Sequence, residues 1–398
     1  MRLDLWLTLP DSTSIHAGDL AFGPPDGQGR YASAFRYSPD WLAHPQAFPL
    51  DPVALPLGVG EFQGRQLEAP LMAIEDALPD DWGRRLLILR HGLPRSRQSE
   101  PHLLQALAGG GLGALSFFPA GTPPQTLDTS APVLALETLV EAAYKLEADG
   151  QVDDSCRALL AAGSSPGGAR PKALVRERDG HWIAKFSSRR DEVDMVGLEA
   201  ASLALAQRAG LAVPDFRLET LAGGRHVLLV KRFDLAPEGG RRHMLSLRAL
   251  LQAGGYDVLR YVDLMTALRR HGAQPERDVP ALFRQMVFNA LLGNTDDHLK
   301  NFWLLHDRGF RLSPAFDLLP DTGARREHVL LFDLSPIPPG PRGLAELGRR
   351  WGISGAGALC QQVADAVAGF ADVAHAFAVP EADIARFEPD IQRRLNRP

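Results

Sequence analysis

Gly293-Asn294-Thr295-Asp296-Asp297-His298-Leu299-Lys300-Asn301 is a polar loop that runs into the apolar Phe302-Trp303-Leu304-Leu305, and Ser313-Pro314-Ala315-Phe316-Asp317-Leu318-Leu319 follows. Asp296 and Asn301 stand five residues apart, a spacing that fits one tight loop. In such a loop the aspartate accepts a proton from a substrate hydroxyl and the asparagine coordinates Mg²⁺, with Asp317 as the other metal carboxylate. Phosphoryl transfer suits so sparse a set, because its barrier falls through alignment and neutralisation of phosphate charge. The bland alternative is a solvated, Asx-rich turn between helix and strand. That reading leaves the second acidic turn, at Asp317, without a reason.

The surroundings of the loop support the sharper reading. Leu282, Phe283, Met286, Val287, Ala290 and Leu291 recur at three- and four-residue intervals and predict a core-facing helix over Pro280–Leu292, stopped by Gly293. Short strands are expected at Phe302–Leu305, Phe310–Leu312 and Ala315–Leu319, around an Asp307-Arg308-Gly309 turn. Upstream, Ala173–Val175 and Trp182–Phe186 read as a hairpin about Asp179-Gly180. Lys185 lies on its second strand, where an ammonium can reach nucleotide phosphates. Gly163–Gly168 is a glycine-rich turn able to present backbone amides to phosphate oxygens. Glu199, within the alanine-rich helix expected over Val193–Ala209, is the candidate partner of Lys185. Taken singly, Lys185 reads as a snorkelling edge-strand lysine, Glu199 as a solvated helix face and the glycines as a loop. Their order and spacing favour the joint reading.

At 398 residues the chain calls for two or three subdomains, and with 45% hydrophobic and 23% charged residues it has an ordinary globular composition. The net charge is −5 with both signs interspersed, which argues against a strongly electrostatic nucleic-acid binder. Cys156 and Cys360 are the only cysteines, too few for a disulfide framework or a thiolate metal site. A reducing cytoplasm is the expected compartment. The amino terminus lacks an apolar core of signal-peptide length, and no uncharged apolar run reaches bilayer thickness, so no membrane partner is expected.

Before the central loop, strands are expected at Leu3–Leu9 and after the turn that opens Gly27–Tyr37. The many prolines up to Pro56 make long regular elements unexpected before residue 60. Helices follow at Asp80–His91 and Pro101–Ala108, then a strand at Ala114–Phe118. Pro119–Pro132 reads as a linker. Three regions result: 1–125, 126–235 with a sheet-containing nucleotide-binding lobe, and 236–398, rich in helix.

Two other motifs compete for the glycine-rich turn. Gly163-Ser164-Ser165-Pro166-Gly167 satisfies the Gly-x-Ser-x-Gly pattern of a hydrolase nucleophile, but that elbow needs a strand before it and a helix after it, and the sequence here gives the reverse. Gly163 and Gly168 have the spacing of a phosphate-binding P-loop, yet Ala169 and Arg170 follow where Lys-Ser/Thr is required. His298 shows no metal-ligand spacing and reads as a loop hydrogen-bonding group.

Together these motifs resemble a protein kinase, and more specifically the HipA family of bacterial serine/threonine kinases, toxins of type II toxin-antitoxin modules. The likeness covers nearly the whole chain. Ser165–Val175 is similar to that family's nucleotide loop, Trp182–Phe186 to its lysine strand and Val230–Asp234 to its hinge. Gly293–Phe302 resembles its catalytic loop, Pro314–Asp317 its metal turn, and Leu3–Leu9, Leu78–Leu86 and Gly113–Phe117 its amino-terminal subdomain. The resemblance implies an α+β, protein-kinase-like bilobal fold with an added amino-terminal β-rich subdomain and a helical carboxy-terminal lobe. It implies ATP contacts at Gly167, Gly168, Ala169, Arg170, Lys172, Lys185, Lys231, Phe233, His298, Lys300, Asn301 and Asp317, with Asp296 as catalytic base and Mg²⁺ on Asn301 and Asp317. It further implies self-inactivation by phosphorylation of Ser165 or its neighbour Ser164, an aminoacyl-tRNA synthetase as substrate, and a helix-turn-helix antitoxin through which DNA is met indirectly. Pro166 and Arg170-Pro171 depart from the family's loop. The remaining alternatives are a small-molecule kinase of the aminoglycoside phosphotransferase type and a catalytically silent antitoxin-binding module.

Overall fold

The computed structural model describes all residues except 28–29, 65–70, 126–129, 151–153, 164–167, 179, 255–256 and 322–324, and the side chain of Asp149. It contains two compact units, each assembled from three stretches of chain. The first comprises Met1–Arg189, Val230–Gln252 and Leu304–Gly309; the second comprises Arg190–Leu229, Ala253–Trp303 and Phe310–Pro398.

The first unit begins with a five-stranded antiparallel sheet in which Arg2–Thr8 lies between Ser14–Pro25 and Leu115–Pro119, with Tyr31–Tyr37 and Phe62–Gln63 beyond. Leu3, Leu5 and Leu7 point into its core while Asp4, Trp6 and Thr8 alternate outward, the two-residue period of a strand with one covered face. Ser14–Pro25, twelve residues long, contradicts the expectation that prolines keep this region irregular. Its prolines fall at the strand's end, where no ladder donor is needed. Gly18 permits the tight pairing, since a Cβ there would strike the Arg36 carbonyl and the Phe35 ring. The same unit holds the hairpin of Lys172–Glu177 and Gly180–Phe186, with Ala131–Pro132 parallel to its first strand.

The second unit is mostly helical. Pro275–Leu292 is its central helix, longer than expected because Pro275 opens it at a position where the missing N–H costs nothing. Phe283, Met286, Val287 and Leu291 along it are buried, and the helix ends in Gly293 at φ 83°, whose N–H returns to the Asn289 carbonyl. Met195–Arg208, Tyr261–His271, Pro341–Arg350, Ala356–Ala368, Phe370–Ala376 and Glu381–Leu395 complete it. Along the chain the strands Trp303–His306 and Phe310–Leu312 stand on either side of the expected Asp307–Gly309 turn, with Leu304–Gly309 counted in the first unit. Residues 315–319 form no strand: Asp317 adopts φ 57°, a left-handed conformation incompatible with a β ladder, and Pro314 and Pro320 flank the segment without donors. Among the described residues no helix is long and apolar enough to cross a membrane.

Candidate active site

In the second unit the helix C-cap delivers the chain directly into the polar loop. Asn294 donates its backbone N–H to the Asn289 carbonyl at 2.9 Å and its side-chain amide to Asn289 Oδ1 at 3.1 Å, so the loop starts from a fixed point. Asp296 is exposed, whereas Asp297 beside it is fully buried. Asn301 is buried and closes the loop twice: its N–H reaches the His298 carbonyl at 2.9 Å, and its Nδ2 donates to the Asp296 carbonyl at 2.8 Å. With Nδ2 turned inward, Asn301 presents Oδ1, the atom a hard cation takes. Lys300 and His298 are half-buried, and the Lys300 carbonyl accepts the Trp303 indole N–H at 2.6 Å. Asp317 is half-buried on its left-handed turn, and Asp321 N–H ties the stretch after it to the Gly293 carbonyl at 2.9 Å.

Asp297 is the anchor that sequence reading missed. Tyr261 and His328 contribute to its carboxylate, and Asn289 in turn donates to the Tyr261 hydroxyl at 3.2 Å. Burial, with the Asp297 charge beside it, raises the Tyr261 phenol well above its ordinary range, so it remains a donor. These partners lie more than thirty residues from Asp297 in either direction, and no local spacing signals them.

The first unit holds the other group of expected residues. Lys172 and Lys185 are directly opposed across the hairpin, which puts both on one face. Lys172 is buried and Lys185 half-buried. Gly168, at φ 98°, packs against the Lys172 ammonium, donates its N–H to Asp80 Oδ2 at 3.0 Å and accepts from Trp82 N–H at 3.3 Å. Trp82 also donates its indole N–H to the Lys172 carbonyl at 3.0 Å. The Leu78–Leu86 stretch therefore holds the exit of the glycine-rich turn. Ala169 is exposed and Arg170 half-buried, while Gly167, Ser165 and Ser164 lie outside the described residues. Lys231 extends over the Trp182 ring at 5.9 Å, and Phe233 is half-buried. Between them, Arg232 grips Asp234 with two bonds of 3.0 and 2.7 Å. Burial would raise the Asp234 carboxyl, but the Arg232 charge and bonds outweigh it and hold it below its ordinary value. Glu199, in the second unit, is buried and not a solvated helix face.

A lysine hairpin behind a glycine-rich turn, and a helix that ends in an Asp-Asn loop followed by a second Asp, define a protein-kinase-like α+β fold. Residues 164–369, just over half of the chain, match the HipA-like C-terminal domain, and residues 14–118 match the HipA N-terminal domain. The chain belongs to the HipA family. “Putative kinase Y4mE” of Sinorhizobium fredii (strain NBRC 101917 / NGR234) is 28% identical over 340 residues, 76% of this chain and 74% of that protein. Y4dM of the same strain, which carries the same designation, is 32% identical over 159 residues, 35% of this chain and 37% of its own. The HipA, HipB and operator DNA complex of the Shewanella oneidensis MR-1 toxin-antitoxin system contains a chain of the same fold, at TM-score 0.67 and 18% identity, covering 99% of this chain and 96% of that one.

Proposed function

We propose that this chain is a Mg-ATP-dependent serine/threonine protein kinase and the toxin of a toxin-antitoxin pair. The contrast between adjacent aspartates carries the reading. Asp297 is buried and bonded, while Asp296 is exposed on a loop that Asn301 closes at 2.8 Å. An exposed carboxylate on a fixed backbone can take the proton of a substrate hydroxyl. Asn301 and Asp317 offer only oxygen donors, which fits a hard dication. When bound, Mg²⁺ neutralises charge on the phosphates. Lys185, with Lys172 opposite it, concentrates positive charge suited to those phosphates. The remaining nucleotide contacts are assigned to Gly167, Gly168, Ala169, Arg170, Lys231, Phe233, His298 and Lys300.

The designation of Y4mE as a kinase and the presence of HipB in the Shewanella complex support the activity and a small antitoxin partner that meets DNA. An aminoacyl-tRNA synthetase is the proposed substrate and Ser165 or Ser164 the proposed site of self-inactivation. Purified protein incubated with labelled ATP, Mg²⁺ and candidate synthetases tests the reading. Asp296→Asn and Asp317→Ala are expected to lower transfer by about 100-fold or more with the fold intact. Lys185→Met should chiefly raise KM for ATP. Undiminished transfer by either aspartate variant sinks the assignment of the loop, and labelling confined to other proteins removes the synthetase.

A further inference from the structure

The catalytic loop is fastened through Asp297, which takes no part in the proposed proton transfer or metal binding. Asp297 Oδ1 accepts the Val329 N–H at 2.8 Å and the Leu330 N–H at 3.4 Å, while Oδ2 accepts the Tyr261 hydroxyl at 2.5 Å and His328 Nδ1 at 3.0 Å. A carboxylate only accepts, so the shared proton of His328 sits on Nδ1. The His328 side chain is fully buried, edge-on to Phe332 at 4.9 Å, and among the described residues its Nε2 has no hydrogen-bond partner. Nδ1 is thus the polar atom through which this ring acts. The segment it belongs to is fixed in turn: Tyr261 N–H bonds the Leu331 carbonyl at 3.0 Å, and Leu331 N–H bonds that of Leu259 at 3.0 Å. Val329 and Leu334 nevertheless expose their side chains, at 50% and 84%.

Asp296 shares a peptide plane with Asp297. Whatever fixes the backbone of one fixes the origin of the other's side chain. We propose that Asp297, Tyr261 and His328 are positioning residues for phosphoryl transfer, which lock residues 328–332 to the catalytic loop so that order in this segment sets the placement of the Asp296 carboxylate. The inference deepens the kinase reading and rests on it. A displacement of about 1 Å at a reacting group lowers rates by about 100-fold, so loss of one bond in this clamp should register in kcat and leave ATP binding in place.

His328→Asn and His328→Leu separate a hydrogen-bonding role from space filling, since the amide of asparagine can donate near the place of Nδ1 and leucine donates nothing. The leucine variant should lose about tenfold or more in kcat with KM for ATP within about twofold of the wild type, and the asparagine variant should keep most of its kcat. Equal activity in the two, or better activity with leucine, overturns the proposal. Hydrogen exchange supplies a readout independent of turnover. The amides of Val329 and Leu330 should exchange at least about tenfold faster in His328→Leu and in Asp297→Asn, with the Met195–Arg208 helix unchanged. Unaltered exchange at those two amides in a folded variant overturns the clamp whether or not the protein is a kinase. Absence of transfer by the wild type refutes the kinase reading alone.

Discussion

Gly168 shows how a single residue couples the amino-terminal stretch to the lysine hairpin. At φ 98° it occupies backbone space that side chains rarely adopt, and an added Cβ would meet the Lys172 ammonium. Because that ammonium is the far end of a flexible side chain, Gly168→Ala should displace it and leave the hairpin standing. The expected result is a stability loss of about 1–2 kcal/mol from the positive φ, with affinity for Mg-ATP reduced severalfold. Nucleotide titration beside a thermal melt checks both, and unchanged affinity would show that Lys172 does not serve the phosphates. The glycine was legible in the sequence as part of a loop. Its anchor was not, because Asp80 lies 88 residues away and nothing local announces the bond.

Elements were read well where one period dominates. The apolar spacing along Pro280–Leu292 and the terminating Gly293 placed the polar loop that follows, and the Asp179-Gly180 dipeptide placed the hairpin that carries Lys185. Two readings failed for opposite reasons. Ser14–Pro25 was hidden by prolines that the strand tolerates at its end, whereas Ala315–Leu319 has the composition of a strand and is barred from one by the left-handed Asp317. Tertiary partners fix both outcomes, and so they do for Asp297, whose burial no neighbour in sequence predicts. The helix end offers its own test. Gly293 has φ 83°, and a Cβ there would stand 2.9 Å from Arg394 Nε, so Gly293→Ala should cost about 1–2 kcal/mol, read as a lower urea midpoint at unchanged slope. A midpoint equal to the wild type would show that the cap relaxes without strain.

At the scale of the whole molecule, each unit is stitched from separated stretches, and within the first the late stretch completes the early one. Arg241 donates to the carbonyls of Gly109, Gly111 and Gly113 at 3.0 to 3.2 Å, and Asp234 receives the Gly113 N–H at 2.8 Å. Here too lies a pair of histidines that should govern acid stability. His243 is buried and its Nε2 lies 2.7 Å from the Leu50 carbonyl, while His306 stacks on Phe48 with ring centroids 3.6 Å apart. Burial lowers His243 to about 4, and burial with the neighbouring His243 charge lowers His306 to about 3. Between the unfolded value near 6.5 and these folded values, the unfolded chain binds protons that the folded chain refuses, so stability falls as pH drops through that window and levels below it. Glu100 works the other way: burial and Glu75 raise it to about 7, so its contribution is present at low pH and fades as pH rises from about 4.5 to 7. His243→Gln isolates one member, because the glutamine amide can keep the bond to Leu50 without titrating. Wild type should lose about 2 kcal/mol more than this variant between pH 7 and pH 5 in urea unfolding. Parallel losses in the two proteins would mean that His243 takes up its proton while the fold is intact.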